Sequence, residues 1–352
     1  MSDRGGRLKG HVIAVQSHDP TELPLHGPED VEEELAAVLP ETQGNRFFPL
    51  IRRWALHVVP FLLLAAAVFV LWREFHEVRP ADIAASMRAW GYGDTLAALG
   101  LSAASFTLMG LVEWLGLRWA GARLPIPPAL AGSFLANAIG HTLGANLIVS
   151  GAIRARFYSR YGVNLRQVAA TTVFHGASFA VGLSALAGAS LLIGGGSPSV
   201  RIAGPVASGM GVLLLGGVAF YVALCGTLKQ PLRGFGHSLK LPSWRVALAQ
   251  IGLGACDNAV AAGIIWSLLP EGSVEYFTFV GAYAPSVVVG LISHVPGGVG
   301  VFEGSLSTLL AGVPAAPLAA AFLGYRLAFF LIPLLIAGLA LMADAMRQRG
   351  HS

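Results

Sequence analysis

The stretch Ile292-Ser293-His294-Val295-Pro296-Gly297-Gly298-Val299-Gly300-Val301-Phe302-Glu303-Gly304 follows one apolar block and precedes another, and its reading decides the fold. Pro296 removes a backbone donor and fixes φ, while Gly297, Gly298 and Gly300 admit left-handed or tightly turned backbone. Irregular backbone at membrane depth persists only where protein buries it or where it lines a watered cavity. The segment therefore reads as a hinge inside a membrane, with Glu303 facing a cavity. The competing reading is a turn outside the membrane carrying a solvated Glu303.

Composition supplies the membrane. Of 352 residues, 55% are hydrophobic and only 12% charged, with a mean hydropathy of +0.65, against roughly 25% charged residues in soluble domains. An ordinary soluble domain is excluded, and so is disorder over most of the chain. Cys225 and Cys256 lie in apolar stretches without partner spacing, so no disulfide, metal site or cofactor is expected. The net charge of +4 reads as Lys and Arg in cytoplasmic loops, not as a nucleic-acid surface.

Residues 1–53 are polar and proline-containing and read as a largely flexible cytoplasmic extension with one short acidic helix. The span from Trp54 to Trp72 is long enough to cross a hydrocarbon core of about 30 Å. Pro80 to Trp90 reads as an interfacial amphipathic helix. Further apolar blocks cover 95–117, 128–150, 165–194, 204–224, 246–269, 276–293 and 315–342.

If every block crossed, the clusters Arg154, Arg156, Arg160, Arg166 and Lys229, Arg233, Lys240, Arg245 would both face outward, against the cytoplasmic bias of Lys and Arg. If instead 128–150 enters, turns near Ser150-Gly151 and returns, and 276–293 does the same from the other face, both clusters lie inside. The expected fold is thus all-α: a polytopic integral membrane protein of about six crossing helices plus two re-entrant segments, both termini cytoplasmic. The transmembrane domain covers 54–346, and 347–352 is a short tail. An internal repeat agrees with this arrangement. The order helix, Leu-Pro, small-residue segment, Gly-x-x-charge, Gly-Val, helix occurs over about 95–194 and again over about 246–342. Re-entrant segments make the two units inverted, a recurring transporter plan.

Candidate binding residues lie at the two breaks. Arg154 and Arg156 can grip an anionic headgroup, with Asn137, Asp257 and Glu303 as further polar contacts and Gly151 as the hinge of the first half. Asp257 is expected to pair with Arg326. Glu113 is an ionisable group in an apolar helix, and His175 and His294 are packing histidines or proton carriers. No P-loop, nucleophile elbow, zinc-protease helix or dinucleotide fingerprint is present, so no catalytic residue is assigned and the chain reads as a non-enzyme.

Pro296-Gly297-Gly298-x-Gly300-x-x-Glu303, together with Ser150-Gly151-x-x-Arg154-x-Arg156-x-Tyr158, resembles the lysylphosphatidylglycerol synthetase transmembrane family, the flippase-like membrane half of the multiple peptide resistance factor proteins. The resemblance covers residues 54–342 and implies a lipid-handling protein of the bacterial inner membrane, whose partner is a membrane lipid. In relatives the helix acid tends to follow a tyrosine; Glu113 here follows Val112. The chain stops at Ser352, so no soluble aminoacyltransferase domain and no lysyl-lipid synthesis are expected. The leading expectation is a lipid translocator. The alternatives are an accessory protein that binds a lipid or isoprenoid intermediate and recruits a lipid-synthesis enzyme, and an ion-coupled carrier of small solutes.

Overall fold

A computed structural model describes residues 79–143, 146–228, 232–234, 237–239, 241–293, 295–310 and 312–349. The polar extension 1–53 and the first crossing block 54–72 lie outside these residues. So do His294 and the tail 350–352.

Pro80–Arg88 (α1) has a proline in its first turn, where the missing N–H costs nothing. It buries no residue of its own and rests against the chain near Ala315–Arg326. Trp90, just past it, donates Nε1–H to the Leu268 carbonyl at 3.0 Å. Among the described residues, five helical segments are long and apolar enough to cross a membrane: Tyr92–Trp119 (α2), Leu165–Gly194 (α5), Gly204–Thr227 (α6), Trp244–Trp266 (α7) and Ala315–Ala343. The last consists of Ala315–Arg326 (α10), a π-turn at Leu327–Leu331 and the start of Ile332–Arg349 (α11). The loop between α6 and α7 carries a short antiparallel hairpin, Leu232–Gly234 (β1) with His237–Leu239 (β2).

Between these spans lie two pairs of shorter helices. Ile126–Leu143 (α3) and Asn146–Ser159 (α4) have 18 and 14 residues; Tyr276–Ile292 (α8) and Val301–Leu309 (α9) have 17 and 9. At 1.5 Å per residue α4 and α9 reach only about 21 and 14 Å, well short of a hydrocarbon core of about 30 Å. Each pair folds back on itself. Tyr158 donates its hydroxyl to the Ala129 carbonyl at 3.1 Å, and Arg154 Nη2 reaches Asn137 Oδ1 at 3.3 Å, so α3 and α4 run antiparallel. In the second pair Gly290 faces Gly298 and Phe302. The first turn does not fall at Ser150-Gly151 as the sequence suggested: both residues are helical, inside α4, which begins at Asn146, while α3 ends at Leu143.

The open ends of the hairpins lie on opposite faces. The α3–α4 hairpin opens where α2 ends and α5 begins, with Gly121 beside Gln167. The α8–α9 hairpin opens at the other end, where Val200 bridges Leu310, Arg201 N–H donates to the Leu309 carbonyl at 2.9 Å and Gly312 stands near Ser199 and the Ser273 carbonyl. The order span, hairpin, span therefore occurs twice, inverted, with α6 as the connection. The two units interlock. The first arm of each hairpin packs on the final span of the other unit, α3 on α11 and α8 on α5. Close approach of α5 and α7 depends on Gly182 and Gly254, because a Cβ at Gly182 would stand 2.2 Å from the Gly254 carbonyl carbon. An aromatic cluster that includes Phe106, Phe302, Phe322, Tyr325 and Phe329 fills the space where the units meet.

Candidate functional site

The tips of the two hairpins meet in the middle of the molecule, each anchored by a buried ion pair. In the first unit Arg154, 2% exposed on α4, donates Nε–H to Glu113 Oε1 of α2 at 2.8 Å. Its Nη2 goes to Asn137 on α3, which in turn donates Nδ2–H to Ser133 at 3.0 Å. Glu113 is fully buried, and its second oxygen lies 3.2 Å from His175 Nδ1 on α5 without good hydrogen-bond alignment for either atom. A carboxylate so placed is retained because a cation is in contact with it.

The second unit reverses the signs. Gly297, Gly298 and Gly300 have φ of 59°, 60° and 81°, values that L side chains avoid, and they carry the chain from α8 into α9. Glu303 stands three residues into the new helix, so its carboxylate reaches back: Oε2 accepts from the Gly300 N–H at 2.7 Å. Oε1 accepts from Arg326 Nε and Nη2 at 2.8 and 2.6 Å. Arg326 Nη1 donates to the Gly297 carbonyl at 2.8 Å, and the guanidinium lies over the Phe330 ring at 4.6 Å. One arginine thus ties both sides of the backbone break together. The tip of α3 arrives at the same place, with the His141 ring 5.8 Å from that of Phe329 and its carbonyl beside Gly297.

Several expected positions change. Glu303 is completely buried between backbone and Arg326 and faces no open cavity. The anticipated Asp257–Arg326 pair does not form, because Glu303 and the Gly297 carbonyl already occupy the guanidinium. Asp257 Oδ1 instead accepts from Ser105 Oγ at 2.5 Å. Arg156 is exposed on the far side of α4, since two helical residues lie about 200° apart; it does not join Arg154. Gly151 sits inside α4 and supplies no hinge. Sequence reasoning missed Ser105, Ser133 and the pairing of Glu113 with Arg154 and His175. A signal for the Glu303 contact was present: Gly300-x-x-Glu303 is half of a capping box. Among the described residues no group of three or more His, Cys, Asp or Glu is placed to hold a metal ion.

These features define a polytopic membrane protein of two interlocked inverted units, each with a helical hairpin whose second arm is too short to cross. Residues 58–337 match the family described as the lysylphosphatidylglycerol synthase TM region. The chain belongs to this family. It is 29% identical over 306 residues to an uncharacterized protein of Synechocystis sp., covering 79% of this chain and 95% of that protein. It is also 29% identical over 299 residues to the inner membrane protein YbhN of Escherichia coli, covering 81% of this chain and 91% of the relative.

Proposed function

We propose that this protein translocates a phospholipid or related amphipathic lipid across a bacterial inner membrane, passing the headgroup between the hairpin tips while the acyl chains stay in lipid. The observation that carries this reading is the meeting of two hairpins from opposite faces, each with a second arm too short to cross, with charged side chains at the junction. Irregular backbone and half-length helices at mid-depth are the setting in which transporters place their binding sites. Arg326 and His175 each keep 17% of the side chain accessible at that junction. They offer a cation and a hydrogen-bonding ring to an anionic or zwitterionic headgroup. Arg154, Asn137 and Glu303 are tied into the tips and shape the site in this closed state; they reach a headgroup only when the tips separate.

Orientation follows from charge. The face where the first hairpin opens carries Arg118, Arg123, Arg160, Arg166 and Arg245 and no acid among the described residues, whereas the opposite face carries Asp82, Asp94, Glu271 and Glu275 beside Arg79, Arg88 and Arg201. The proposal takes the arginine-rich face as the cytoplasmic one, in keeping with the bias of Lys and Arg. The proposal is one of transport and gives no residue a part in bond making or breaking. The test is reconstitution with headgroup-labelled lipids and an impermeant quencher. Protein-dependent loss of protected signal is expected, and its absence with every lipid class of the host membrane overturns the proposal.

A further inference from the structure

Apart from Asp94, which caps the first turn of α2, the carboxylates set within the spans and hairpin tips among the described residues are Glu113, Asp257 and Glu303, and the guanidiniums in contact with them are Arg154 and Arg326. Glu113 and Glu303 take these two. Asp257 has no cationic partner among the described residues; its contact is the hydroxyl of Ser105. The repeat explains why. Asp257 occupies in the second unit the place of Glu113 in the first, on the span before the hairpin. The residue that should answer it stands at the position of Arg154, the charge three after Gly151. The corresponding position after Gly300 is Glu303, an acid that itself consumes Arg326. The substitution of acid for base leaves one carboxyl over.

That carboxyl lies near the middle of the 23-residue α7 and is half-buried. Ser105 lies near the middle of the 28-residue α2 and is buried. Because α2 belongs to the first unit and α7 to the second, the hydrogen bond spans the surface along which one unit would rock against the other. The titratable groups that face Asp257 are Tyr283 on α8 and Tyr325 on α10. Among the described residues α5 and α6 bring no charged side chain to it, and Cys256 beside it is exposed. An isolated carboxylate at mid-membrane is costly unless it is paired, watered or neutralised.

We infer that Asp257 is the proton-binding site through which a transmembrane proton gradient drives the conformational cycle, an inference that rests on the translocation reading above. The carboxylate takes up one proton from the face to which it is open and becomes a neutral acid. In that form it can sit at the dry α2–α7 contact, hydrogen-bonded to Ser105. Separation of the units readmits water and releases the proton on the other side. A ligand with different affinity for two states shifts them by that difference. A sodium ion fits poorly, since selective sites replace a hydration shell with several oxygens and a single hydroxyl contacts the carboxylate.

The experiment uses the full chain in vesicles of phosphatidylethanolamine and phosphatidylglycerol with headgroup-labelled phosphatidylethanolamine. A pH gradient, a sodium gradient and a membrane potential are imposed in turn. The pH gradient should speed translocation about tenfold, within the usual range of coupling energies, and a protonophore should abolish the gain. Asp257→Asn, which mimics the neutral acid, should equilibrate lipid at one rate whatever the gradient. A gradient response kept in Asp257→Asn, or acceleration by sodium alone, overturns the inference. If the wild-type protein moves no lipid, the translocation reading falls separately, and infrared difference spectra between acid and alkaline pH decide the proton site. A protonated-carboxyl band that vanishes in Asp257→Asn and shifts in Ser105→Ala supports it, and a wild-type protein without such a band refutes it.

Discussion

Glu303 performs two tasks with two oxygens: one satisfies the Gly300 N–H at the start of a helix, the other neutralises Arg326. Each task alone is ordinary, but their combination ties the local backbone break to a side chain 23 residues away. The Glu113–Arg154 pair does the same for the first hairpin across 41 residues. Removing one member of a buried pair leaves a charge without solvation, which typically costs about 3–5 kcal/mol, whereas replacing both by apolar residues is often neutral. Arg154→Ala should therefore lower the unfolding midpoint in detergent sharply, while Glu113→Leu combined with Arg154→Met should recover most of the loss. Equal destabilisation by the single and double variants would show that packing, not charge, holds α4. The sequence marked Glu113, Arg154, Glu303 and Arg326 as unusual, because charges are rare in apolar helices. It could not say who pairs with whom, because partners so far apart are chosen by packing.

At the level of elements the two hairpins solve one problem differently. The second turns on glycines in left-handed conformation, whereas in the first Ser150 and Gly151 lie inside α4, which begins at Asn146. A methyl group is expected to have opposite consequences at the two sites. Gly297→Ala combines a positive φ, worth about 1–2 kcal/mol of strain, with a Cβ only 3.1 Å from Arg326 Nη1. It should destabilise and slow transport. Gly151→Ala meets nothing within 4 Å and should be neutral or stabilising by up to about 1 kcal/mol. Thermal unfolding of the two variants checks this, and a destabilised Gly151→Ala would restore Gly151 as a hinge. The glycine-rich motif was legible because proline and several glycines together exclude a straight helix. The first break was not, since apolar small residues run evenly through 128–150 and only the antiparallel contacts locate the reversal.

Over the whole molecule, inversion makes a topological prediction. Tyr161 and Ser243 should lie on one side of the membrane, and Ser197 and Gly272 on the other. On a background with Cys225 and Cys256 replaced, single cysteines at these positions report their side through impermeant maleimide labelling. Labelling of Tyr161 and Ser243 from opposite sides would exclude two hairpins that return to the face they entered. The sequence by itself determined an all-α membrane protein, its apolar blocks, the internal repeat and the residues too polar to be incidental. These follow from local quantities, hydropathy, charge bias and the conformational freedom of glycine and proline, which need no partner to be evaluated. Only the tertiary structure decided that the hairpins interlock with the opposite unit, that Arg326 serves Glu303 and not Asp257, and that Asp257 is left with a hydroxyl. A buried charge adopts whichever counter-charge the packed helices bring within hydrogen-bond reach, and that distance exists only once the two units have closed on each other.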